Sequence, residues 1–160
     1  MIIQNEQIEK SIKYFTSQPE SKLALLAIEM NRKHRPLSMV MKALESNGIN
    51  GYIIDELMLG ILEIWYVIEK INMKRISPIT DEDIQNTYNH FNSFLKFYNK
   101  FEDEKELKYF PYEKNLEIFI VNLFKKIYLS PENIPKEVIL IYYSIMKCFE
   151  NKLGYTRNTQ

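Results

Sequence analysis

The chain has 160 residues, 46% of them hydrophobic and 13% aromatic, with 21 basic side chains against 21 acidic ones. That length and apolar content predict one globular domain over 1–154, with 155–160 as a frayed tail. The even charge balance, ten bases to nine acids in residues 1–80 and eleven to twelve in 81–160, argues against a chain built to be held on a polyanion.

Pro19, Pro36, Pro78, Pro111, Pro131 and Pro135, with Gly48, Gly51 and Gly154, punctuate stretches whose apolar residues recur every three or four positions. Proline is tolerated in the first turn of a helix and breaks its interior, so these positions read as joints between helices. The expected fold is all-α, an irregular bundle of six to seven helices. Asn5 caps a first helix that runs to about Ser17, with Ile8, Ile12 and Phe15 on its core face. Pro19 opens a second, running through Leu23, Leu26, Ala27 and Met30 towards Arg32. Its additional apolar positions, Leu25 and Ile28, predict contact on more than one side. A short third helix around 38–46 stops at Asn47-Gly48, where glycine supplies the left-handed cap.

The fourth helix, about 53–74, is the expected centre. Its polar residues Glu56, Glu63, Lys70 and Lys74 share one narrow stripe, expected to face solvent, while Ile54, Leu57, Ile61, Ile64, Trp65, Ile68 and Ile71 occupy most of the remaining circumference. A helix apolar nearly all round is surrounded by others. Thr80-Asp81-Glu82-Asp83 begins a fifth helix reaching about Glu102. The sixth carries Leu116, Phe119, Ile120, Leu123, Phe124 and Ile127. Ser130-Pro131 ends it, and a last helix spans about Pro135 to Leu153.

Chemistry-bearing patterns are sparse. Acids at helix starts and bases at helix ends follow the helix macrodipole, worth about 0.3 to 1 kcal/mol each, which accounts for most charges. Asp81-Glu82-Asp83 begins like a calcium loop, but Asn86 stands where the loop needs glycine and Asn92 where it needs glutamate. No histidine pattern, P-loop or nucleophile elbow is present, so no metal, cofactor or catalytic residue is assigned. Cys148, on the core side of the last helix, reads as a small buried hydrophobe.

Two surfaces stand out. The fifth helix has a sufficient core face in Ile84, Tyr88, Phe91, Leu95 and Tyr98, yet Phe94, Phe97 and Phe101 widen its apolar arc, with His90 among them. Tyr109, Phe110 and Tyr112 in the following loop extend the aromatic set. Such rings supply much of the binding energy at interfaces. The second surface is the basic run Arg32, Lys33, His34 and Arg35 between helices two and three, able to contact phosphates. The reading drawn is a non-catalytic, cytoplasmic protein-interaction module, such as a small regulator, adaptor or inhibitor, binding a protein partner or itself, with no membrane and no metal. A nucleic-acid-associated regulator using 32–35 is the alternative. A helical small-ligand-binding or catalytic domain is the third.

Overall fold

The computed structural model describes residues 3–97 and 114–154, with the side chains of 94–97 also outside the described set. The described residues form seven α-helices and no strand, so the fold is all-α. The expectation for 155–160 concerns residues outside this set. The helices gather into two compact units, divided between Thr80 and Asp81.

The first unit holds α1 (Asn5–Ser17), α2 (Glu20–Lys33), α3 (Arg35–Ser46) and α4 (Gly51–Tyr66), which continues as a π turn over Val67–Ile71. Gln4 rather than Asn5 precedes the first turn of α1, its backbone N–H donating to Gln7 Oε1 at 3.2 Å. The periodicity places Ile12 on the core face of α1, but its neighbour Ser11 is buried and Ile12 lies 39% exposed. The Ser11 hydroxyl donates to the Glu63 carbonyl at 2.9 Å, so α1 crosses α4 there.

That crossing corrects the solvent-facing stripe expected on α4. Glu63 is 8% exposed, and Glu56 is half-buried. Helix α4 touches α1, α2 and α3, and Leu57, Ile61, Ile64 and Trp65 are buried. Helical structure ends short of Lys74. Asn72 N–H donates to the Val67 carbonyl at 3.0 Å and Lys74 N–H to that of Ile68 at 3.0 Å, closing the helix through Met73, a non-glycine residue at φ +52°. Asn72 is anchored: Gln7 Nε2 donates to its Oδ1 at 2.7 Å, and its Nδ2 donates to Gln7 Oε1 at 3.1 Å. At the other end of α4, the Asn50 side chain accepts the Tyr52 N–H at 2.8 Å, capping the helix that Gly51 begins.

The second unit contains α5 (Asp81–Phe97), α6 (Lys114–Ile127), a 3₁₀ turn at Pro131–Asn133, and α7 (Lys136–Lys152). α7 is its most buried element, with Val138, Tyr142, Ile145, Met146 and Phe149 fully enclosed. α5 packs on it through a face including the buried Ile84, Thr87 and Phe91. Phe124 of α6 lies against the rings of Tyr142 and Tyr143, at centroid distances of 5.6 and 6.2 Å.

Candidate interaction surface

Helix α2 differs from every other described helix of its unit in how little of it is buried. Only Met30 is fully enclosed; Leu23, Leu26 and Ala27 are half-buried. At 100° per residue, Ser21, Leu25, Ile28 and Arg32 fall within one narrow sector, and all four are exposed. Leu25 keeps 67% of its surface in solvent and Ile28 53%. The two-sided contact expected for α2 is therefore one-sided among the described residues of its unit, and two large aliphatic residues occupy the centre of its outward stripe.

The cause lies in how the helix is fastened. Lys33 makes an ion pair with Glu69, whose other carboxylate oxygen accepts the Trp65 indole N–H. Lys70, the next residue of the π turn, pairs with Glu29 of α2 and places its ammonium 5.5 Å from the Trp65 ring centroid. A π turn carries more residues per turn than an α-helix and shifts the directions of the side chains that follow it. Here it presents two consecutive polar residues, Glu69 and Lys70, to α2. The Glu29–Lys70 pair is open to water and contributes little stability by itself. Glu69 is more enclosed, at 10% side-chain exposure, and accepts from two donors. These clamps and Met30 seat α2 by one edge without using Leu25 or Ile28.

At the opposite end of α2, Lys22 Nζ lies 5.6 Å from the Tyr14 ring centroid. Tyr14 stacks on Tyr66 at 4.7 Å and 13°, and Phe15 meets Tyr66 edge-on at 5.3 Å. Burial raises the Tyr66 phenol above its ordinary pKa, and Tyr14 adds to the shift. This aromatic group keeps Tyr14 in place beneath Lys22 at the edge of the exposed face.

The basic run 32–35 is divided by the same packing. Arg32 and Arg35 are exposed, Lys33 is engaged with Glu69, and His34 is completely buried. His34 forms the corner between α2 and α3: its N–H donates to the Met30 carbonyl at 2.8 Å and its carbonyl accepts from Leu37 at 3.1 Å. Its Nδ1 accepts the Ile79 N–H at 3.0 Å, fixing the returning 76–79 segment. An imidazole that accepts at Nδ1 carries its proton on Nε2. Two of the four residues thus serve the fold, and the segment does not present a continuous basic face.

Among the aromatic-surface residues, His90 is exposed on α5, its ring 5.8 Å from that of Phe91. The side chains of Phe94 and Phe97, together with Phe101, Tyr109, Phe110 and Tyr112, lie outside the described residues. The sequence pattern directed attention to that aromatic set, whereas α2 carried a weaker signal: two aliphatic positions beyond the number needed to seat it.

Asp83, Asn86, Thr87, Cys148, Asn151 and Lys152 line a small polar cleft of about 230 Å³ between α5 and α7. Lys152 bridges to Asp83 at 3.1 Å. Cys148 is 1% exposed, and its Sγ lies 3.5 Å from the Thr87 hydroxyl. Burial pushes the thiol up to about 11; Asp83 adds to the rise, while Thr87 and Lys152 oppose it. Thiolate is the nucleophilic form, so this cysteine is inert at neutral pH, in keeping with its reading as a small core residue. Among the described residues, no group of three or more His, Cys, Asp or Glu side chains could hold a metal ion, and no helix is long and apolar enough to cross a membrane. Compared with protein-family models, curated proteins and solved structures, the chain matches none.

Proposed function

We propose that the chain is a non-catalytic protein-interaction module whose working surface includes the outward face of α2. The observation that carries this reading is the exposure of Leu25 and Ile28 on a helix held by other residues. A large aliphatic side chain left in water forgoes roughly 1.5 to 3 kcal/mol of burial free energy. Two such residues side by side on one stripe, flanked by Lys22, Glu29 and Arg32, form an apolar centre with a charged rim, the arrangement found at protein-binding patches.

The test is capture of partners by the immobilised chain and by its Leu25→Ser/Ile28→Ser variant, using extract from the native source and identification by mass spectrometry. Proteins held by the native chain and lost from the folded variant support the reading. Identical capture by both would remove α2 from the binding surface.

A further inference from the structure

Resting on the proposed binding role, we infer that the occupant of the α2 face is a second copy of this chain, with the two α2 helices paired antiparallel about a two-fold axis. An isologous interface requires a patch that complements itself when reversed. Reversing α2 about the point between Leu25 and Ile28 sets each Leu25 opposite the other copy's Ile28. The same operation brings together the charges on the rim. Lys22 and Glu29 are centred within one residue of that point, and at 100° per residue they project about 20° apart, along one edge of the helix. Each Lys22 therefore comes beside the other copy's Glu29, twice per dimer. Ser21 and Arg32 of the central stripe are centred on the same point, so each Arg32 faces the other copy's Ser21 and meets no like charge there. A parallel pairing would instead place the Lys22–Glu29 edges of the two copies on opposite sides of the seam, where these charges do not meet.

Both charged residues are available for this arrangement: Lys22 and Glu29 are exposed. Glu29 meets Lys70 only at the surface, and Lys22 lies over the Tyr14 ring. One pair of 14-residue helices offers less than the roughly 800 Å² per partner of a standard-size interface. The dimer is accordingly one that dissociates on dilution and forms as the chain accumulates.

Sedimentation equilibrium on the full chain over a wide concentration range tests this with four proteins: native, Lys22→Glu, Glu29→Lys, and the double exchange Lys22→Glu/Glu29→Lys. The expected native result is a reversible rise from monomer to dimer mass. Each single exchange creates two like-charge contacts and weakens dimerisation roughly tenfold, while the double exchange restores it. That recovery distinguishes a direct pair from loss of the Glu29–Lys70 or Lys22–Tyr14 contacts, which the double variant also lacks. A native chain that remains monomeric throughout, or a dimer indifferent to all three exchanges, overturns the inference. If the chain is monomeric but its capture of another protein still depends on Leu25 and Ile28, self-pairing falls and the binding role stands. If it is monomeric and capture is independent of those residues, both fall.

Discussion

Helices α4 and α2 both contain more apolar residues than a single core-facing stripe requires, yet their fates are opposite. α4 is enclosed by three neighbours, to the extent that even Glu63 is drawn beneath α1. α2 is fastened at one edge by Met30 and two ion pairs, leaving Leu25 and Ile28 in solvent. The difference teaches that surplus apolar residues on a helix do not by themselves mark a core. What decides is whether the residues that seat the helix already suffice without them.

The largest expected effect sharpens the buried side of the comparison. Trp65→Ala empties a large site in α4 and removes the indole N–H from Glu69. It should destabilise the protein by about 3 to 5 kcal/mol in denaturant melts. A loss below about 1 kcal/mol, the scale of an ordinary surface substitution, would mean that α4 does not organise its unit.

The most buried helix of the second unit, α7, makes a related prediction. The Cys148 thiol titrates near 9.0 when unfolded and near 11 in the fold. Between those values the unfolded chain ionises while the native thiol keeps its proton. The stability present below pH 9 is therefore lost as pH rises through this window, by about 2 to 3 kcal/mol from this group. Cys148→Ala should flatten that part of the pH–stability curve. An unchanged slope would place the alkaline loss elsewhere, for example at the buried Tyr143, whose phenol is also raised by burial.

His34→Leu examines the junction between the enclosed and open helices. It removes the acceptor for the Ile79 N–H in a fully buried corner and should cost about 1 to 3 kcal/mol. A neutral result in thermal melts would show that the 76–79 segment is held by other interactions.

The smallest expected effect belongs to α2. Leu25→Ser/Ile28→Ser should alter monomer stability by no more than about 0.5 kcal/mol, because neither residue contributes to a buried site. Severe unfolding would place these side chains in the core and break the comparison.

The helices were legible in the sequence because proline and glycine mark their joints and apolar periodicity their faces. Gly48 and Gly154 take up the left-handed caps, at φ +95° and +81°. Less legible was which neighbour would cover which face. Glu63 projects into a polar stripe, but nothing in the periodicity announces that α1 crosses that turn through Ser11. Likewise, the basic residues at 32–35 are consecutive in sequence, while Lys33 and His34 acquire structural partners 36 and 45 positions away. The exposed α2 stripe was visible only as an excess of aliphatic residues. Its solvent exposure depends on the π turn and the two polar clamps, features of tertiary packing.

The most direct measurement of the central claim is a dilution series followed by methyl NMR, with Leu25 and Ile28 assigned beside the buried Leu57 and Ile61. The account predicts that the Leu25 and Ile28 methyl resonances shift with protein concentration along a dimerisation curve, while those of Leu57 and Ile61 stay fixed. Leu25 and Ile28 resonances that hold their positions from dilute to concentrated solution, or that shift only together with the core methyls, would contradict it.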